Sequence, residues 1–363
     1  MSIFPVGGSR LAVSIILFLI IFFVVVISHE FGHFLLAKKN GIHVVEFFVG
    51  MGPTLFSFTK GDTKYSLKLL PLGGACMFEG EDGLAAEKGE ASGKSFQEAS
   101  VWARISTIFA GPLFNFLTAY LMALILVSVC GVSIPEVRGV SEGSSAEEAG
   151  LLPGDVITKM NGKRIHLGGE ITLLSQLNTS GDAFEVTYQR GEEEHTVVIK
   201  PTYDEQAQRY YMGLVTGAYL KCNVPQTFQY SFYTMKFFAD TTFKSLQMLV
   251  TGQLSRNDVS GPVGLVKVVD EVYDSAKQYG ALDVMLNMIN IALLLSVNLG
   301  IMNLLPIPAL DGGHVLFLLC EIVTRKKPSE KFLERAQTIG MLLLFALMIY
   351  AVGNDILRFI FHI

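Results

Sequence analysis

Residues Leu11–Lys39 read LAVSIILFLIIFFVVVISHEFGHFLLAKK. From Leu11 to Ala37 the run is almost pure hydrocarbon, long enough as a helix to cross about 30 Å of bilayer core. Its exception is His29-Glu30-Phe31-Gly32-His33, an H-E-x-x-H motif. On a helix the two histidines lie one turn apart on one face, where two imidazoles can bind one zinc ion. Glu30 stands beside them, placed to take a proton from an attacking water. Ionisable groups are expensive inside a membrane and mark function there. The plainer alternatives are a chance match and a pair of histidines capping a buried helix end.

Composition agrees with a membrane setting. The 363 residues have a mean hydropathy of +0.44, half are hydrophobic and 17% are charged; soluble domains carry about a quarter charged residues. The net charge of −5 is spread along the chain, with no basic stripe for nucleic acid. Cys76, Cys130, Cys222 and Cys320 lie far apart, which argues against a disulfide framework and against a thiolate zinc site. Further apolar runs occur at Ile105–Val132, Leu282–Val323 and Thr338–Ile360, so the expectation is four transmembrane helices. The first run is too long for a cleaved signal peptide and lacks a small-residue cleavage site.

Lysines and arginines crowd the segment after the first run, from Lys38 to Arg104, and the segment from Arg325 to Arg335. The positive-inside rule then puts these two loops in the cytoplasm, both termini outside, and residues from about Gly131 to Leu282 outside as well. His29 lies 18 residues beyond Leu11, or about 27 Å at roughly 1.5 Å per residue. The histidine pair is thus expected near the cytoplasmic edge of the bilayer core, within reach of water.

Between the first two runs, Thr54–Phe58 and Thr63–Leu69 flank a Lys60-Gly61-Asp62 turn, with alternation that predicts an amphipathic β-hairpin near the membrane. It reads equally as an ordinary cytoplasmic hairpin or as an edge that pairs with an extended peptide. Residues Glu79–Lys94 read as a polar, glycine-rich loop. Glu136–Pro201 reads as a small α+β domain, with a helix near Glu170–Gln176 and strands at Phe184–Gln189 and His195–Lys200. Its Ser144-Ser145-Ala146, Ala149-Gly150-Leu151 and Gly154-Asp155 steps resemble a PDZ domain, which would either bind a peptide or act as a steric plug. Phe228–Leu249 has helical spacing but carries Lys236, Asp240 and Lys244, so it reads as a surface-lying linker or a substrate gate. The expected organisation is a membrane core over 1–135, the PDZ domain over 136–202, amphipathic linker helices over 203–280, and a second membrane core over 281–363.

A catalytic zinc needs a third protein ligand. Leu36 and Lys39 stand where a metzincin would place its downstream Gly and His, which excludes that family. The third apolar run offers Asn303-Leu304-Leu305-Pro306-Ile307-Pro308-Ala309-Leu310-Asp311-Gly312-Gly313. Two prolines there break the helix, and unwound backbone at membrane depth is tolerated where it lines a protein cavity. Asp311 is the expected third ligand, with a helix-capping aspartate as the alternative.

With H-E-x-x-H at 29–33, N-x-x-P-x-P-x-L-D-G at 303–312 and Gly111-Pro112-Leu113-Phe114-Asn115 in one order, the chain resembles the site-2 protease family of intramembrane zinc metalloproteases. The match is to its bacterial RseP/RasP type with an extracytoplasmic PDZ domain. Phe47–Pro53, Pro71–Gly74 and Ser260-Gly261-Pro262 support it. The resemblance implies Zn2+ held by His29, His33 and Asp311, Glu30 as general base, and Asn303, Pro306 and Asn115 at the substrate. It implies a hairpin that offers a strand for β-augmentation, and an endopeptidase in the bacterial cell membrane. Its substrates would be transmembrane helices of single-span proteins, such as pre-cleaved anti-sigma factors or remnant signal peptides. There is room for one PDZ domain, where some relatives have a tandem pair. Two rival readings are a non-catalytic membrane scaffold and a divalent-metal transporter. The first leaves Glu30 and Asp311 without a role; the second lacks polar residues in the second and fourth spans.

Overall fold

A computed structural model of the chain describes residues 8–80, 93–205, 209–253 and 260–358. Most of the polar loop expected at Glu79–Lys94 lies outside these residues. Among the described residues, four helices are long and apolar enough to cross a membrane: α1 (Gly8–Lys39), α2 (Val101–Cys130), α7 (Ala281–Asn303) and α9 (Glu330–Ile356). The chain divides into two compact units, one of residues 1–122 with 242–363 and one of residues 123–241.

In the first unit, α1 packs on α6 (Pro262–Ala276) and α7, burying Phe18, Ile21, Val269, Met288 and Ile291 together. The third apolar run is two helices. α7 stops at Asn303, and α8 (Asp311–Thr324) begins after the Pro306–Pro308 segment, as the prolines require. Ala309 has a φ of 86°, a left-handed backbone that costs a non-glycine residue about 1–3 kcal/mol, two residues before Asp311. The helix break is therefore sharp, and it delivers Asp311 as the first helical residue of α8.

The expected hairpin is larger than its sequence signal. Strands β1 (Val44–Lys60) and β2 (Thr63–Phe78) each bend, so that residues 46–49 pair with 64–67 on one side and with 74–77 on the other. The result is a folded-back sheet of four strand segments, of which the hairpin at 54–60 and 63–68 is one half. Pairing of Phe47 with Cys76 is remote in sequence, and local alternation gives no sign of it. Leu55, Phe56, Phe58, Leu69 and Leu70 are exposed on this sheet.

The second unit holds a sheet in the order β10-β3-β4-β6-β7, with β5 (Lys163–Arg164) beside β4. Its strands are β3 (Val132–Val140), β4 (Val156–Met160), β6 (Phe184–Arg190), β7 (Glu193–Ile199) and β10 (Leu214–Leu220). Helices α3 (Ser145–Glu148) and α4 (Gly168–Leu177) accompany it around a core of Val137, Leu151, Ile157, Met160, Ile171 and Val186. The boundary expected at residue 202 falls too early. Beyond it come the hairpin β8 (Thr202–Asp204) and β9 (Arg209–Tyr211), then β10, which pairs antiparallel with β3. Residues 203–280 are thus not all linker helix; helix begins with α5 (Val224–Val250).

Candidate metal centre

The two histidines of α1 lie one turn apart, and α2 can reach them because two glycines meet at the crossing. A Cβ on Gly32 would stand 2.3 Å from the carbonyl oxygen of Ala110. A Cβ on Gly111 would stand 2.3 Å from His33 Nε2 and 2.7 Å from His29 Cε1. This is why the α2 motif opens with glycine: the helix backbone itself forms one wall of the imidazole site. Pro112 follows inside α2; it removes a backbone donor and opens the preceding turn. Five residues before it, the carbonyl of Thr107 accepts a hydrogen bond from His33 Nδ1 at 2.9 Å.

The Nε2 atoms of His29 and His33 lie 3.2 Å apart, and Asp311 Oδ2 stands 3.2 Å from the first and 3.5 Å from the second. Among the described residues these three form the one group of His, Cys, Asp or Glu side chains arranged to hold an ion. An ion with tetrahedral bonds of about 2.0–2.1 Å keeps its ligand atoms about 3.3–3.4 Å apart, so the spacing fits a zinc-sized cation. Asp311 Oδ2 is buried and has no hydrogen-bond partner despite its nearness to both rings. The three atoms lie within 3.5 Å of one another, which is the spacing of a ligand set. The residue capping α8 is Leu310, and Asp311 Oδ2 is turned to the histidines.

Glu30 lies against the second strand of the sheet. The backbone of Cys76 hydrogen-bonds to its carboxylate, and a Cβ on Gly74 would stand 3.2 Å from its Cγ. The other candidates divide. Asn303 reaches the site, with Nδ2 3.4 Å from His29 Nε2. Pro306 is exposed on the segment between α7 and α8. Asn115 is fully buried, and its side chain meets His29 Nδ1 at 3.1 Å. The sequence carries no signal for Thr107, which acts through its backbone carbonyl.

Long apolar helices around a His-His-Asp cluster with a glutamate beside it define a membrane metallohydrolase. The sequence pattern of the family described as Peptidase family M50 matches residues 17–347. A Clostridium acetobutylicum protein designated a candidate zinc metalloprotease is 32% identical over 343 residues, covering 94% of this chain and 97% of its own. The regulator of sigma-W protease RasP of Bacillus subtilis is 30% identical, covering 95% of this chain and 98% of its own. The zinc metalloprotease RasP of Shouchella clausii is also 30% identical, over 94% of this chain and 98% of its own. A solved PDZ domain from an SdrC-like protein of Listeria monocytogenes aligns with 22% of this chain and 84% of its own, at 22% identity and a TM-score of 0.21. The chain belongs to peptidase family M50.

Proposed function

We propose that the chain is an intramembrane zinc endopeptidase that cuts the transmembrane helices of single-span membrane proteins. The convergence of His29 Nε2, His33 Nε2 and Asp311 Oδ2 within 3.2–3.5 Å carries this reading. The family and the names of the relatives support it. These three residues would hold the zinc, and Glu30 would act as general base. Bound zinc supplies a Lewis acid that activates water and polarises the scissile carbonyl. Glu30 takes the water proton and passes it to the leaving amine. A helical substrate shields its carbonyls with its own hydrogen bonds, so it must unwind and find new partners for its amides. Asn303, the unwound segment around Pro306 and the strand at 74–78 supply such partners close to Glu30. Asn115 is buried against His29.

The basic loops at 38–104 and 325–335 support a cytoplasmic position for the site end of the membrane unit, with the 132–220 unit outside the cell membrane. That unit is read as a PDZ domain from its strand, the short helix capped by Ser144, and the Gly154-Asp155 turn. RasP of Bacillus subtilis is named for sigma-W regulation, which supports anti-sigma factors as the substrate class; remnant signal peptides have the same single-span form.

Glu30→Gln is the direct test. It keeps the three ligands and removes the proton acceptor, so zinc content by elemental analysis should stay at the wild-type level. Cleavage of a transmembrane peptide in detergent should fall at least 10²–10⁴-fold. Near-normal turnover by this variant rejects Glu30 as the base, and wild-type protein purified without zinc rejects the whole reading.

A further inference from the structure

Asn115 has no exposed surface, and its backbone carbonyl accepts a hydrogen bond from the equally buried Ser296 hydroxyl at 2.8 Å. Its Nδ2 is placed 3.1 Å from His29 Nδ1, and its Oδ1 has no partner. The two ends of an amide have the same shape, so the chemistry of the ring decides which faces it. If Nδ2 donates to His29 Nδ1, the ring proton sits on Nε2 and points into the cluster with His33 and Asp311. That tautomer cannot bind an ion through Nε2. If Oδ1 faces the ring, it accepts from Nδ1–H and Nε2 keeps its lone pair for the ion.

We propose that Asn115 is a positioning residue whose Oδ1 accepts the Nδ1–H of His29, fixing the tautomer and ring plane that turn Nε2 to the metal. The proposal rests on the zinc reading of the site. His33 is held the same way from two turns earlier on the same helix, through Nδ1 to the Thr107 carbonyl. Helix α2 thus orients both rings, once with a backbone acceptor and once with a side chain. Histidines that bind metals carry such an acceptor on the second nitrogen as a rule. The role also accounts for the spacing of the α2 motif: Gly111 admits the rings, and Asn115, four residues on, lies on the same face one turn further.

The test measures zinc affinity of the full-length protein in detergent by competition with a chromophoric chelator, together with the visible spectrum of the cobalt-loaded form. Asn115→Leu removes the acceptor at similar volume and should weaken zinc 10–100-fold, with an altered cobalt spectrum. Asn115→Asp accepts but cannot donate. It should hold zinc within about threefold of wild type, or more tightly, and restore the spectrum. If Asn115→Asp loses zinc as Asn115→Leu does, the amide donates and the proposal is overturned; wild-type affinity in Asn115→Leu overturns it as well. The aspartate arm decides the matter even if the leucine variant fails to fold. Zinc bound normally by wild type and by Asn115→Leu sinks this inference alone, whereas wild type without zinc sinks the reading beneath it too.

Discussion

At Gly111 a hydrogen is the largest substituent the two imidazoles leave room for, since a Cβ would fall 2.3 Å from His33 Nε2. Gly111→Ala must push α2 away or rotate the rings, and either change spreads the ligand atoms. Zinc affinity should fall at least tenfold and peptide cleavage with it, about 1.4 kcal/mol or more, as chelator competition will read. Gly353 in α9 has open space where its Cβ would be, so Gly353→Ala should leave both unchanged. Equal effects of the two would mean that crowding at the rings is not what Gly111 relieves. The same logic governs Gly312 and Gly313, whose Cβ atoms would meet the carbonyls of Leu304 and Ile307 at 2.3 Å. They let the segment between α7 and α8 fold back so that Asp311 faces α1. At this scale the sequence was generous with the proposed metal ligands: the residue types suggest the chemistry, and His29 and His33 stand one turn apart. It was silent on Thr107, because a backbone acceptor has no side-chain signature, and it gave no sign that Asn115 is buried beside His29.

Between elements, α2 and α8 are joined by a buried ion pair. Arg104 Nη2 donates to Glu321 Oε1 at 2.6 Å and Nη1 to Oε2 at 3.1 Å, with both side chains at most 10% exposed. Asp311 and Glu321 ride on one helix, so this fork ties the helix that carries the aspartate to the helix that walls the histidines. Glu321→Leu leaves a buried guanidinium alone and should destabilise the protein by about 3–5 kcal/mol. The double variant Arg104→Met with Glu321→Leu should recover most of that loss in a thermal melt in detergent. No recovery would mean that the pair is not the source of the loss. A second tie joins α9 to α6. Asp355 is fully buried and accepts from the backbone N–H of Gly261 at 3.0 Å and Gly264 at 2.8 Å, a carboxylate on a helix N-terminus. This explains Ser260-Gly261-Pro262 physically: glycine caps the helix, proline starts it, and a residue about 90 positions later supplies the anion.

Across the whole molecule, the 132–220 unit carries its own pH dependence. Burial alone would raise the Asp155 carboxyl, but the fork from Arg190, with both bonds at 2.7 Å, and the Leu152 N–H hold it below its ordinary value of 3.8. A group whose folded value is lowered stabilises the fold above its unfolded value, and that contribution fades as pH falls through the folded one. The protection factors of β4 and β6 amides against hydrogen exchange in the intact chain should therefore be high and steady near neutral pH and fall below about pH 4. Asp155→Asn should raise exchange at neutral pH and flatten the acid dependence; an unchanged profile would exclude the ion pair as its source. The proposed topology is testable in cells. Tyr219→Cys, at a position 75% exposed, should react with a membrane-impermeant thiol reagent from outside, and Lys327→Cys only after the membrane is opened. The reverse pattern would invert the chain. The small domain was visible in the sequence through its turns and alternation, yet its last strand was not, since β10 finds β3 some eighty residues back.

By itself the sequence determined what is carried by local repetition and residue type: the apolar runs long enough to span a bilayer, the helical one-turn spacing of His29 and His33, and the proline break before Asp311. Only the tertiary structure decided what depends on segments far apart in the chain. It brought Asp311 within 3.5 Å of both rings, set residues 46–49 between two strand segments, and turned Asn115 onto His29. The physical reason is range: hydropathy and helical period act over a few residues, whereas ligand convergence and strand pairing are settled by packing between elements that no local pattern encodes.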